Sequence, residues 1–217
     1  MKIGVLGTGM VGEAIASRLV SLGHEVKMGS RQAGNEKAVA WAAEASEAAS
    51  EGSFADAAAH GEIVFNCTAG SASLQALDAA GAENLAGKVL VDVANPLDFS
   101  AGMPPTLSVC NTDSLGESIQ RQFPDARVVK ALNTVNASVM VTPDRVPGDH
   151  ALPICGDDGA KPQVIELLAG FGWPQDRIVD LGDISGARGM EMYLPLWLGL
   201  MNSLGTASFN IALAVAA

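Results

Sequence analysis

A chain of 217 residues, 48% hydrophobic and 17% charged, has length for one substantial core plus an appended piece, which excludes a disordered tail or a coiled coil. Its formal net charge of -11 argues against a grip on nucleic acid or an anionic membrane surface, because such binding rests on clustered Lys and Arg neutralising phosphates. Cys67, Cys110 and Cys155 lie too far apart for zinc-ligand spacing and His24, His60 and His150 form no cluster, so buried free thiols and no metal site are expected.

Residues 1–7 enter a strand at once, with no long apolar leader and cleavage site, so a cytoplasmic location is expected. Residues 2–6 form an apolar run that Gly7 stops, and residues 13–22 then carry Ala14, Ile15, Leu19 and Leu22 at helical spacing. Gly23 ends that helix; residues 25–28 make a second strand and the Ala-rich stretch 37–49 another helix. Further strands are expected at 63–66, 89–93, 127–131 and 152–155, with helices near 73–80, 115–122 and 161–170. Such alternation calls for parallel pairing through crossover connections. The expected fold is therefore α/β: a Rossmann-type, doubly wound, mostly parallel sheet with a small C-terminal helical extension. Residues 1–150 are expected to form the dinucleotide-binding domain and 151–217 a smaller C-terminal region. From Tyr193 to the end no residue is charged. Pro195, Gly199, Asn202 and Gly205 interrupt this run and no basic anchor follows it, which favours a helix or helix pair buried against the sheet or a second subunit over a membrane span. A homodimer is the expected assembly.

The strongest motif is Gly7-Thr8-Gly9-Met10-Val11-Gly12, directly after a strand and opening a helix. Gly7 permits the tight turn, Gly9 lets a pyrophosphate approach the backbone, and Gly12 lets helix and strand pack closely; the helix N-terminus offers free N–H groups to phosphates. At the end of the second strand an NAD site carries an acid for the ribose 2′-hydroxyl, whereas this chain has Gly29-Ser30-Arg31. Ser30 can donate a hydroxyl to a 2′-phosphate and Arg31 can meet it with a planar fork of donors, which points to NADP(H) over NAD(H). Lys37 either adds positive charge there or is a solvated helix residue. Three strand ends complete the pattern: Cys67-Thr68-Ala69-Gly70, Asp92 with Val93-Ala94-Asn95-Pro96-Leu97, and Asn133-Thr134-Val135-Asn136-Ala137. Their small and amide side chains suit a flat nicotinamide, and the same residues can also serve as turn and cap chemistry, Asn95-Pro96 and Thr134 in particular.

Those motifs, with Lys130-Ala131-Leu132-Asn133-Thr134, Ile154-Cys155-Gly156-Asp157-Asp158 and the tail Met190-Glu191-Met192-Tyr193-Leu194-Pro195-Leu196-Trp197, make the whole chain resemble the NADPH:F420 oxidoreductase family. The resemblance implies hydride transfer between NADP(H) and the deazaflavin coenzyme F420. It implies NADP contacts from Thr8 to Val11 at the pyrophosphate, from Ser30 and Arg31 at the 2′-phosphate, and from Gly70, Leu74, Leu97 and Ala137 along the ribose and nicotinamide. Archaeal members carry Ile-Pro-Trp where this chain has Thr68-Ala69-Gly70, and a His-containing run around Asn133 to Asn136. On this reading the cofactors carry the chemistry, no acid or base is assigned, and the three histidines are surface residues. Lys88, Arg145 and Arg188 are candidates for a basic rim facing the acidic tail of F420. Rival readings are an imine or pyrroline-5-carboxylate reductase, for which too little chain follows Gly182, a non-catalytic NADP(H) sensor, and the soluble domain of six-transmembrane ferric reductases.

Overall fold

Four of the five residues of strand β1 (Lys2–Leu6) are buried, the pattern of a strand covered by helices on both faces. The computed structural model describes residues 1–216. After β1 come α1 (Met10–Ser21), β2 (Glu25–Ser30), α2 (Glu36–Ala45), β3 (Ala49–Ser53), α3 (Phe54–His60), β4 (Ile63–Asn66), α4 (Gly70–Ala80), α5 (Ala82–Leu85) and β5 (Val89–Asp92). A small hairpin, β6 (Leu97–Asp98) and β7 (Thr106–Leu107), precedes α6 (Leu115–Gln122), β8 (Arg127–Ala131) and α7 (Ala137–Val141). Then follow β9 (Leu152–Gly156), α8 (Lys161–Phe171), β10 (Ile178–Asp180), α9 (Ala187–Met192) and α10 (Leu194–Leu204).

Among the described residues the main sheet has eight strands in the order β10-β9-β8-β5-β4-β1-β2-β3. Its β3-β2-β1-β4-β5-β8 portion is the doubly wound arrangement, whose ligand crevice lies beyond the strand ends where the order reverses, between β1 and β4. All neighbours run parallel except β8 and β9. The sheet is thus mostly parallel, as expected, and the one exception has a simple reason: only the short α7 and a 3-10 turn at Pro143–Arg145 lie between those two strands, and they do not carry the chain across the sheet. β9 and β10 extend this same sheet.

Alternating strand residues face two cores. Ile3, Val5, Ile63, Phe65, Val89, Val91 and Val129 pack with Ile15, Leu19, Val164, Leu168 and Trp173 on one side. Leu6, Val64, Leu90 and Val128 pack with Phe54, Leu77, Leu115 and Ile119 on the other. Between β5, β8 and α9 lies a charged group that is entirely buried. Lys130 Nζ stands 2.7 Å from Asp92 Oδ2 and 2.8 Å from Glu191 Oε1, and donates to the Ala94 carbonyl at 2.5 Å. Glu191 in turn accepts from the N–H groups of Leu115 and Gly116, so the positive end of α6 offsets the second carboxylate. Burial alone would lower the Lys130 pKa, but the two carboxylates outweigh it and hold the ammonium above the ordinary lysine value. Burial raises the Glu191 pKa against the pull of Lys130.

Four further departures from expectation appear. The helix expected to reach residue 49 ends at Ala45, and β3 follows as an edge strand whose Ala-Ser-Glu-Gly-Ser sequence has no β-branched or aromatic residue to announce it. α3 was also missed, although Ser53 and Asp56 form a reciprocal capping box. In the uncharged tail, Leu194 is the buried residue of α10, and residues 206–216 form no helix; Ala217 lies outside the described residues. Asn210 ties that segment down, donating to His150 Nδ1 at 3.0 Å and to the Ala151 carbonyl at 2.8 Å. His150 is therefore a buried structural residue and not a surface one. Among the described residues no helix is long and apolar enough to cross a membrane.

Removing one partner of a buried charge group leaves the rest uncompensated. Lys130→Met is expected to cost about 3–5 kcal/mol of unfolding free energy, read by urea denaturation. A loss under about 1 kcal/mol would mean that the group does not hold β5, β8 and α9 together.

Candidate active site

Beyond the ends of β1, β2 and β4 lies an open cleft of about 840 Å³. Gly7, Thr8 and Gly9, the start of the glycine turn, line it. Gly7 adopts φ 121°, a left-handed value that a side chain would strain, and a Cβ on Gly12 would fall 2.1 Å from the Gly7 carbonyl oxygen. A Cβ on Gly9 would meet nothing within 4 Å, so Gly9 alone of the three faces open space. α1 begins here without a side-chain cap, and so does α4 at Ala69, as do α5, α8, α9 and α10 elsewhere, whereas α2, α3, α6 and α7 are capped by Asn35, Ser53, Ser114 and Asn136. Two helix N-termini with free N–H groups thus open onto one cleft, which fits a pyrophosphate.

Ser30, Arg31 and the loop Gln32 to Asn35 form the far end of this cleft, and Arg31 is the charged side chain in its lining. Arg31 is exposed and makes no ion pair among the described residues. Ser30 is buried, and its hydroxyl donates to the Gln32 carbonyl at 2.5 Å, so it shapes the loop rather than pointing a free proton outward. Glu51 accepts from the Gly34 N–H at 2.9 Å and fixes the loop from β3. Lys37 is exposed on α2 and does not line the cleft.

A second cavity of about 460 Å³ adjoins the first and shares Gly9, Cys67, Thr68 and Ala69 with it. Met10, Val11, Gly70, Asn95, Leu97, Asn133 and Ala137 line it, and its lining carries no formally charged side chain. Asn95 and Asn133 are crossed: Asn95 Nδ2 donates to the Asn133 carbonyl at 2.9 Å and Asn133 Nδ2 to Asn95 Oδ1 at 2.9 Å. Asn133 also donates to the Met190 carbonyl, and its Oδ1 is buried without a partner. Leu132, just before it, has φ 67°, a left-handed backbone that costs a non-glycine residue about 1–2 kcal/mol. Strain therefore sits where β8 hands the chain to the cavity. Thr68 joins the buried charge through Asn66: its hydroxyl donates to Asn66 Oδ1 at 2.7 Å, and Asn66 Nδ2 donates to Asp92 at 2.8 Å.

Gly12, Leu74 and Pro96 lie behind the walls. Gly12 serves helix–strand packing, Leu74 packs on the second core cluster, and buried Pro96 backs Gly70, where a Cβ would come within 2.9 Å of the proline Cα. The proposed basic rim is corrected. Lys88 donates to the Ala58 carbonyl and Arg188 pairs with Glu117, and neither they nor Arg145 line a cavity wall here. Hydrogen bonding from Arg188 holds Glu117 below the usual carboxylate range. Buried free thiols were expected; Cys155 is buried, its pKa pushed up to about 12 by desolvation, while Cys110 is exposed and Cys67 half-buried in the cavity wall. Sequence reading missed Phe54 and Gln75 in the first cleft and Phe99, Met140, Leu194 and Trp197 in the second. For Trp197 a signal existed, an aromatic in a charge-free tail; Phe99 lies in a loop with none.

Residues 2–96 match the family described as NADP oxidoreductase coenzyme F420-dependent. The F420-dependent NADP reductase of Methanothermobacter marburgensis is 32% identical over 92% of this chain and 92% of its own. The chain belongs to the coenzyme F420-dependent NADP oxidoreductase family. It is an NADP-dependent oxidoreductase. A crystal structure from Arthrobacter sp. FB24, provisionally named an F420 dependent NADP-reductase, is 53% identical with TM-score 0.93, covering 99% of this chain and 100% of that one. Rat metalloreductase STEAP3 is 32% identical over 90% of this chain, which spans only 38% of that relative. The reductive aminase of Aspergillus terreus, solved with NADPH, shares the fold at 19% identity and TM-score 0.66, with 94% of this chain and 62% of that one covered.

Gly9 and Gly12 separate by experiment. Gly9→Ala is expected to leave Tm unchanged while weakening dinucleotide binding in calorimetry, and Gly12→Ala to cost about 1–3 kcal/mol of stability through the clash with Gly7. Unchanged binding in Gly9→Ala would remove the pyrophosphate from this turn.

Proposed function

We propose that the two adjoining cavities hold NADP(H) and coenzyme F420 and that the protein passes hydride between them. One observation carries this reading: the first cleft has Arg31 as its charged lining residue, the second is lined without formal charge, and the two share one wall. That asymmetry suits a dinucleotide with its phosphates in the first cleft and its nicotinamide in the second. When bound, the two coenzymes supply the hydride chemistry.

The chain's part is to bind, orient and exclude water. Arg31 meets the 2′-phosphate with its fork of donors, and the N-termini of α1 and α4 hold the pyrophosphate at Gly9 and Ala69, on the wall the two cavities share. Asn133 and Asn95, locked to each other, present amide groups to the nicotinamide end, while Leu97, Ala137, Met140 and Leu194 keep water from it. Cys67, the titratable lining residue of the second cavity, has its pKa pushed up by burial and by Asp92, so no proton-transfer group is assigned. Residues 151–217 complete the acceptor side through Leu194 and Trp197.

The reading includes a cytoplasmic homodimer. α10 exposes Leu196 (60%) and Leu204 (57%), and the following segment exposes Leu213 and Val215, an apolar surface that a second copy would cover. Leu196→Asp is expected to shift sedimentation from dimer to monomer; a wild-type protein that sediments as a monomer would remove the assembly.

Purified protein mixed with NADPH and oxidised F420 should bleach the deazaflavin absorbance, and NADH should not substitute. Arg31→Ala should lower kcat/KM for NADPH roughly tenfold to a hundredfold, the worth of charge-assisted hydrogen bonds, with little change for NADH. Equal losses with both nucleotides would sink the 2′-phosphate assignment.

A further inference from the structure

All three tryptophans of the chain carry an indole N–H that burial would make costly to leave unpaired, and two are satisfied. Trp41, 7% exposed, donates to Ser17 Oγ at 3.0 Å, and Trp173, 1% exposed, donates to the Met140 carbonyl at 2.9 Å. Both are core residues with structural hydrogen bonds. Trp197 differs in each respect. It is half-buried, its Nε1 is buried without a partner, and its ring lines the second cavity.

The ring is also fixed from behind. Phe209 lies against it with centroids 5.4 Å apart and planes 22° from parallel. Asn210, the next residue, is anchored to His150 and Ala151, so the support is tied to the sheet through β9. Phe99, the other aromatic residue in the cavity lining, stands on the β6–β7 loop and is 56% exposed. A rigid indole, backed by a phenyl ring, thus forms one wall of the cavity, while Phe99 is the lining's other aromatic side chain and stands exposed on a loop. Core packing does not require it, and its N–H serves no structural bond.

We infer that Trp197 is the face on which the planar ring of the hydride acceptor stacks, and that Phe209 is the positioning residue holding that face. The inference deepens the proposed function and rests on it: the second cavity must receive the acceptor. Aromatic stacking tolerates many ring systems because every planar heterocycle has a π-face. The site therefore selects a flat, conjugated acceptor over a small aliphatic imine or ketone.

The test is steady-state kinetics on Trp197→Leu, Trp197→Phe and Phe209→Leu in the full chain, with NADPH affinity measured separately by calorimetry. Trp197→Leu should raise KM for F420 about fivefold to twentyfold, leave kcat within about twofold, and leave NADPH affinity unchanged. Trp197→Phe should restore most of the loss, and Phe209→Leu should give a smaller rise in the same KM. An unchanged KM in a folded Trp197→Leu protein, or an equal loss of NADPH affinity, would overturn the stacking face and leave the proposed function standing. Wild-type protein that binds NADPH but never reduces F420 would overturn both.

Discussion

One lysine, buried among charges, decides where the strand ends of this molecule can go. Lys130 draws together Asp92 at the tip of β5, the Ala94 carbonyl just beyond it and Glu191 from α9, and Glu191 captures the first N–H groups of α6. A lone ammonium in such a place would lose its proton or unfold its surroundings; here each donor and acceptor finds a partner, so the cost of burial becomes a demand for one arrangement. Through Asp92 and Asn66 that demand reaches Thr68 at the wall shared by both cavities. The C-terminal residues are thereby wired to the loops that shape the site.

Much of the fold was legible because its signals were local. Short apolar runs with glycine close by marked β1, β4 and β5, the Val-Val pair marked β8, and helical spacing marked α1, α6 and α8. What escaped lacked such signals. β3 has strand geometry only because β2 offers it a parallel partner, so its alanine, serines and glycine read as helix or loop until the pairing is known. The direction of β9 depends on whether the preceding segment crosses the sheet, which no residue of β9 itself encodes.

The site divides in the same way. The glycine turn and Arg31 could be read because backbone geometry and charge act through residue type alone. The environments of Ser30, Lys88 and Arg188 could not, since a hydroxyl or cation declares its role only through the partner it meets, and each met protein rather than open cleft. Trp197 lies far from the strand ends in sequence, and only folding of the tail over the cavity brings it there.

Gly9, Cys67, Thr68 and Ala69 belong to both cavities. A wall with two faces cannot be altered on one side alone, so evolution has no independent dial for the two ligands at these four positions. On the proposed assignment, selection for a new acceptor would either spare them or move the dinucleotide preference at the same stroke. On the same assignment, divergence is left to the outer rim, to Phe99 and Trp197, which line the second cavity and not the first.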